Sequence, residues 1–221
     1  MKTKSLFIAS SLLTAVLIFG CKGAQKNSDQ GQNSLSGELK SENTTKRYPL
    51  EKGIVHQTTE VAGIETKTTI DFDKWGDWEA IETIVPMKIM GQDLTSRTIE
   101  IIKGDDHWNI DLNEKKGTHF SRSRVINTMG VDVNNLTDEV LGKMKMEKLG
   151  EEEYLGFKCQ KFKVKSDQGT TMEYMMFGNL MMQMEGEAMG MKTKLKVTSI
   201  DKVDPPGEKF EIPADVIITE E

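Results

Sequence analysis

The sequence predicts a mainly β (α+β) domain, built as a curved antiparallel sheet with one amphipathic helix on its concave side. Two observations carry this prediction: apolar and polar residues alternate over much of the chain, and short turn signals separate the alternating stretches. A period of two is typical of strands with one solvated face, which antiparallel sheets have. One segment instead repeats its apolar residues at helical spacing, and it predicts the single helix.

The alternation is clearest in residues 64–72 and 108–112, where Ile, Thr, Phe, Trp and Leu take one parity and polar residues the other. Turn signals occur at residues 61–63, 73–76, 113–117 and 166–169. Connections this short predict a meander of hairpins. In residues 157–164 the apolar parity switches, which predicts a bulge between Cys159 and Phe162.

The predicted helix spans Leu136 to Lys148. Leu136, Val140, Leu141 and Met144 recur at helical spacing, and Thr and acidic residues at 137–139 suit a first turn. The order of the elements therefore predicts one helix between two groups of strands.

The N-terminus has the features of a targeting segment. Lys2 and Lys4 precede an apolar run at residues 6–19 that is too short to span a bilayer. The run ends in Ile18-Phe19-Gly20-Cys21, which resembles a bacterial lipobox. Residues 1–20 are therefore expected to be a lipoprotein signal peptide, with Cys21 acylated and holding the protein on a membrane. The alternative is an ordinary signal peptide in which a cysteine happens to fall at this place.

Residues 21–48 are expected to form the acylated cysteine and a flexible tether, because Gly, Ser, Asn, Gln and Lys replace the residues of a core. Such a tether has a root-mean-square reach on the order of 30 Å. Lys22 follows the cysteine where an Asp would retain a lipoprotein in the inner membrane. A lysine instead of an aspartate at this position favours the outer membrane, and we expect the protein to face the periplasm.

The remaining residues, 49–221, suit one domain of ordinary size. They carry 22 basic and 32 acidic side chains, a net charge of −10. Nucleic-acid binding needs clustered Lys and Arg, so that class is excluded. With Cys21 acylated, Cys159 has no cysteine partner in the chain. We expect a monomer.

Residues 174–191, YMMFGNLMMQMEGEAMGM, contain seven methionines, and glycines interrupt any helix there. As strands, their parities gather apolar side chains on common faces, which neighbouring strands would merge into one surface. Three interpretations stay open: a deformable core, an apolar groove for an acyl chain, and capture of copper(I) by thioethers. The candidate ligand-lining residues are Tyr174, Met176, Leu180, Met182, Met184, Met189, Met191, Leu195 and Val197.

The sequence predicts no enzyme, catalytic residue, cofactor or metal site. It holds three histidines and none of the common nucleophile, phosphate-loop or zinc motifs. A hairpin closed by residues 113–117 would place His119 opposite about Asp111 and roughly 13 Å from His107, too far to share a metal. Cys159 has an apolar parity and is expected to be a buried, inert thiol.

Two runs carry a family resemblance. KGDDHWNIDLNEKKGTHF resembles a hairpin of outer-membrane lipoprotein-sorting (Lol-type) proteins. LTDEVLGKMKMEKLGEEEYLGFKCQKFKV, followed by TTMEYMMF, LMMQMEG, LKVTSI and FEIPAD, resembles bacterial lipoproteins of a related domain-of-unknown-function family. The resemblance covers Lys52 to Thr219. It implies an unclosed antiparallel half-barrel around a helical plug, with an apolar concave face, and it transfers no functional residue to this chain.

The leading functional hypothesis is a lipid-anchored, non-enzymatic envelope protein that binds an acyl chain or a lipidated partner. A carrier of lipoproteins must leave the membrane, whereas an acylated Cys21 would hold this protein on it, so receptor-like or sensor-like use fits better. The alternatives are an envelope interaction or sensing module with a solid core and a copper(I)-handling protein.

Overall fold

Twelve strands make up the computed structural model, which describes residues 46–89, 91–121, 141–142, 145–165, 170–188 and 190–220. The predicted signal peptide, Cys21 and most of the predicted tether lie outside the described residues. So do most of the predicted helix, the turn signal at 166–169 and Met189.

The strand bounds are β1 Gly53–Val61, β2 Ile64–Asp73, β3 Trp78–Ile89, β4 Gln92–Lys103, β5 Asp106–Asp111, β6 Lys116–Ser121, β7 Met146–Tyr154, β8 Phe157–Lys165, β9 Thr171–Phe177, β10 Leu180–Ala188, β11 Met191–Asp201 and β12 Ile217–Glu220. Turns of 3₁₀ type lie at Lys74–Gly76 and Gly207–Phe210.

All twelve strands belong to one sheet with the order β12-β6-β5-β4-β3-β2-β1-β11-β10-β9-β8-β7. Two antiparallel meanders, β1–β6 and β7–β11, meet at the antiparallel pair of β1 and β11. Only β12 runs parallel to its neighbour, β6. The sheet is open between β7 and β12, so the predicted mainly β fold with an unclosed, curved antiparallel sheet is confirmed.

The tight turns follow from residues that tolerate positive φ. Ala62 (φ 51°) and Gly63 (φ 82°) join β1 to β2, with φ > 0 at both central positions as two-residue hairpins require. The turn after β2 is more strained, because Lys74, Trp75 and Gly76 all have positive φ. The Asp73 carboxylate accepts a hydrogen bond from the Lys74 amide at 2.7 Å and fixes its start.

The segment before β1 is packed into this turn. The Tyr48 amide donates to the Trp75 carbonyl at 2.9 Å, and the Tyr48 hydroxyl donates to Glu79 Oε2 at 2.9 Å. Arg47 pairs with the other oxygen of Glu79, whose side chain is 1% exposed. Tyr48, at the end of the predicted tether, is therefore part of the folded domain and fixes where the tether joins it.

Both faces of the first meander are buried. On the front face, defined here as the face that carries Val55, the main cluster includes Val55, Ile70, Phe72 and Val197. The back cluster lies on the other face and consists of Ala80, Ile99, Ile101, Ile110 and Phe210, with partly buried Trp78, Trp108, Leu112, Val216 and Ile218. Because Phe210 and Ile218 come from the chain after β11, the C-terminal segment covers this face.

The parity switch in β8 has a different cause from the predicted bulge. β8 pairs with β9 without a register shift, so Cys159 and Phe162 point to opposite faces. Cys159 packs in the main cluster, and Phe162 packs with Leu141 and Met176 in a third cluster. The prediction of a bulge in β8 was wrong. The strand is apolar on both faces because the main cluster packs on one face and the third cluster on the other.

The prediction of a helix is confirmed for only some of the described residues in the range 136–148. Leu141 and Gly142 are helical, and Leu141 is 6% exposed against the sheet. Residues 146–148 instead begin β7 and pair with β8. Lys145 has a positive φ of 52°, which is incompatible with continuing a right-handed helix. Within the described ranges, no helix has the length and apolar character needed to cross a bilayer.

Candidate functional site

Most of the predicted ligand-lining residues are buried in the structure. Met182 and Val197 are fully buried, and Leu180, Met184 and Met176 are 3%, 6% and 8% exposed. Tyr174 and Leu195 are half-buried, Met191 is 40% exposed and Met189 lies outside the described residues.

These side chains are divided between clusters. Leu180, Met182 and Val197 belong to the main cluster, whereas Met176 and Tyr174 belong to the third cluster with Phe162. Alternation along the strands separates the two groups, because the adjacent residues Met175 and Met176 belong to the main and the third cluster respectively. The methionine-rich stretch therefore fills the interior on two sides of the sheet.

A small depression lies where Met184 pairs with Leu195 across β10 and β11. Its volume is about 130 Å³, and it is lined by Gln183, Met184, Glu185, Lys194, Leu195 and Lys196. Pockets that enclose a small molecule usually measure about 300–1,000 Å³. This depression is therefore too small to bury an acyl chain.

A second group of apolar side chains lies at the tips of three hairpins. We call it the apolar rim: Val61, Ile64, Met87, Leu94 and Met191. Val61 pairs with Ile64, and Met87 pairs with Leu94. β2 and β3 are paired up to Lys67 and Ile84, and the same register continued three residues further aligns Ile64 with Met87. Met191 lies on β11 two residues before Thr193, the partner of Val61.

The rim therefore forms one row on the front face, across β11, β1, β2, β3 and β4. Four inter-strand spacings give the row a length of about 19 Å. Ile64, Leu94, Met191 and Met87 are 54%, 44%, 40% and 38% exposed. Large apolar side chains grouped in this way on a surface mark a site of interaction more often than isolated ones do.

Most side chains next to the rim are charged or hydroxylated. On the back face of the same hairpins, Lys88 lies 3.9 Å from Asp93, and Lys194 lies 3.6 Å from Glu185. On the front face, the next residue inward is Thr66 on β2, which is 1% exposed, whereas on β3 it is the apolar Val85. The rim thus has polar neighbours except at β3, where Val85 extends it inward.

The histidines do not converge. His119 faces Trp108, not Asp111 as predicted, because the hairpin turn spans residues 112–115 instead of 113–117 and pairs Asp111 with Lys116. His107 pairs with Phe120, so the two histidines point to opposite faces. Among the described residues, no group of three His, Cys, Asp or Glu side chains could hold a metal ion.

Cys159 is 1% exposed, and its thiol lies 3.4 Å from the Phe157 carbonyl oxygen. Burial raises the pKa of this thiol above its ordinary value. The reactive thiolate is therefore disfavoured at neutral pH.

A scan of protein-family models and a search of curated proteins found no match. The fold is similar to the crystal structure of an uncharacterized conserved protein from Thermus thermophilus, with a TM-score of 0.50, 10% identity, and coverage of 77% of this chain and 90% of that chain.

Two weaker matches are a LolA superfamily protein, NE2245, from Nitrosomonas europaea and a chain of the Pseudomonas aeruginosa MucA/MucB complex. The first has a TM-score of 0.32 and 13% identity, and covers 75% of this chain and 92% of that chain. The second has a TM-score of 0.42 and 9% identity, with 74% and 56% coverage. At these identities the Thermus thermophilus match establishes the fold alone.

Sequence reasoning missed most of the rim. Only Met191 was among the candidate residues, since the other four lie 97 to 130 positions earlier in the chain. The available signal was an apolar residue on each side of two turns, at 61 and 64 and at 87 and 94, which are separated by the turn between β2 and β3. Such residues are common in strands, and only the register places them in one row.

Proposed function

We propose that this protein is a lipid-anchored, non-enzymatic envelope protein that binds an acyl chain, or the acylated end of a partner, along the apolar rim. The observation that carries the proposal is the row of apolar side chains on five adjacent strands, of which Ile64, Met87, Leu94 and Met191 are exposed and Val61 is half-buried. Covering them removes apolar surface from water, at about 25 cal/mol for each Å² buried.

The length of the rim fits one chain. The row measures about 19 Å across the strands. The hydrocarbon of one bilayer leaflet is about 15 Å thick, half of the full core. A single acyl chain could therefore lie across all five strands with its polar end at either side of the row. The surface is open, so we expect reversible binding.

The rim also lies far from the place where the tether joins the domain. Tyr48 packs at the Gly53 end of β1, and Val61 ends the same strand eight residues later. At about 3.3 Å per residue this separates the two by roughly 26 Å. A protein anchored through Cys21 could then present the rim to a ligand without the attachment point obstructing it.

The anchor part of the proposal has its own test. Mass spectrometry of the N-terminal peptide from native membranes should find Cys21 as the first residue, carrying acyl groups. An unmodified Cys21 would refute the anchor and leave the binding part to be judged separately.

The binding part is tested with a fluorescent fatty acid titrated into the purified full-length protein. Ile64→Asp combined with Leu94→Asp should weaken binding at least tenfold, because both carboxylates would have to be desolvated by the chain. The matched control is Ile217→Asp, an exposed apolar residue at 68% on another strand. Equal weakening in the control, or no binding by the wild type, would refute the rim as the site.

A second candidate is an interaction or sensing module with a solid core. The packing of Met182 and Met184, at 0% and 6% exposed, favours it because these side chains are buried against the protein itself. In that case the protein would bind no fatty acid, and protein isolated from its own membranes would carry no lipid mass.

A further inference from the structure

We propose that the C-terminal strand β12 is a pH-responsive latch on the edge of β6, closed when His119 is protonated and loosened when it is neutral. The latch goes beyond the proposed binding function and uses none of the residues of the rim.

The latch is a short and accessible strand. β12 has four residues and runs parallel to β6, with Glu220 directly opposite His119. The Ile217 amide donates to the Lys115 carbonyl at 3.0 Å, and the Thr219 hydroxyl donates to the Gly117 carbonyl at 3.2 Å. Of its four side chains only Ile218 packs against the back cluster. With so few contacts, one ion pair is a large share of what holds the strand.

His119 is placed between two carboxylates from two other strands. Its Nδ1 lies 2.7 Å from Glu220 Oε2 on β12, and its Nε2 lies 2.9 Å from Asp106 Oδ1 on β5. Its ring stacks on Trp108 at a centroid distance of 4.8 Å and an interplanar angle of 16°. Only the imidazolium can donate from both nitrogens, so this geometry belongs to the charged form.

The carboxylates around His119 also favour its charged form. At neighbouring positions of the sheet, Asp105 accepts the Ser121 hydroxyl at 2.7 Å and Lys103 is paired with Glu211 at 2.8 Å. His107 faces the other side of the sheet. The hydrogen bonds to Glu220 and then to Asp106 raise the pKa of His119 above its ordinary value.

The direction of the pH effect follows because proton binding by His119 and docking of β12 are thermodynamically linked. Because the pKa of His119 is raised when β12 is docked, the docked state binds the proton more tightly than the released state. The stabilisation is complete below the ordinary histidine pKa of about 6.5 and is lost as the pH rises through the raised value. Mild acidification therefore closes the latch, and alkaline pH loosens it.

Loosening has a defined structural consequence. When β12 leaves, the outer backbone groups of β6, Lys116–Ser121, lose their strand partner. An unpaired strand edge accepts another extended segment. The latch thus controls whether the edge of the sheet at β6 is occupied by the chain's own C-terminus or is open to a partner strand.

The test is hydrogen exchange of the full-length protein at pH 6.0 and 8.5, expressed as protection factors so that the intrinsic effect of pH is removed. Protection of residues 217–220 should fall about two- to fivefold between these values, the range expected for exposed ion pairs. Protection at the β1–β11 pair should not change.

Two variants isolate the cause. His119→Gln and Glu220→Gln should each abolish the pH dependence at residues 217–220 and leave protection near the wild-type value at pH 8.5. His56→Gln is the matched control, because His56 lies 3.5 Å from Asp201 in the middle of the sheet. The latch is refuted if wild-type protection is the same at both pH values, or if both glutamine variants at 119 and 220 keep the wild-type dependence.

Discussion

The buried methionines of β9 and β10 and the exposed residues of the apolar rim are chemically alike but differently placed. Met182 is fully buried in the main cluster, whereas Met191, at the tip of the hairpin that β10 and β11 form, is 40% exposed. A flexible thioether fills irregular space in the first position and meets solvent in the second. Position in the sheet, and not residue type, therefore separates the core from the candidate binding surface.

The difference in exposure arises because packed clusters cover some parts of each face of the sheet and leave others open to solvent. β8 and β9 have apolar side chains on both sides, with the main cluster on one and Leu141 with the third cluster on the other. None of the rim residues belongs to these clusters, and four of the five are exposed. The proposed binding role therefore falls on side chains whose removal should leave the fold intact.

The largest expected effect is the loss of stability when a buried methionine is truncated. Met182→Ala should lower the free energy of unfolding by about 2–5 kcal/mol, because it leaves a cavity in the main cluster. Met191→Ala should change it by about 0.5 kcal/mol or less. Urea denaturation of both variants measures the difference, and equal losses would show that the two regions are not distinct.

Cys159→Ser should give an intermediate effect. A hydroxyl in place of the buried thiol should cost about 1–3 kcal/mol, since a polar group is moved out of water with one neighbouring carbonyl as its partner. Cys159→Ala in the same denaturation series measures the cavity alone. Wild-type stability in the serine variant would mean that water reaches this part of the sheet, as it would in a binding crevice.

The smallest expected effect concerns the exposed charges beside the methionines. Glu173 on β9 accepts a hydrogen bond from Lys163 at 2.9 Å, and this bond lowers the pKa of its carboxyl. The stabilisation is present above the ordinary Glu pKa and is lost as the pH falls through the lowered value. Glu173→Gln should therefore cost a few tenths of a kcal/mol at pH 7 and nothing measurable at pH 2, by urea denaturation. A loss as large as that of Met182→Ala would contradict the division into core and solvated face.

Much of the fold could be predicted because it depends on local pattern. Alternation in residues 64–72 and the turn at 61–63 are properties of neighbouring residues, and both appear in the structure, whereas the turn predicted at 113–117 lies at residues 112–115. The boundary of the helix was less certain for a physical reason. Residues 146–148 suit a helix by spacing, but pairing with β8 satisfies their backbone as a strand.

The candidate site could not be predicted in the same way. Its residues are spread over 131 positions, from Val61 to Met191. Their meeting depends on the pairing of β1 with β11, a contact between the two ends of the domain. No periodicity within either strand specifies that partner, so the sequence pointed to the local concentration of methionines instead.

The sequence by itself determined the strands, their hairpin turns and the one-sided apolar pattern, because these follow from side-chain alternation and backbone preferences over a few residues. It also supplied the predicted signal peptide and Cys21. Tertiary structure decided which apolar residues are core and which are surface, because burial depends on what covers each face. It also placed His119 between Asp106 and Glu220, since strands distant in sequence become neighbours only when the sheet assembles.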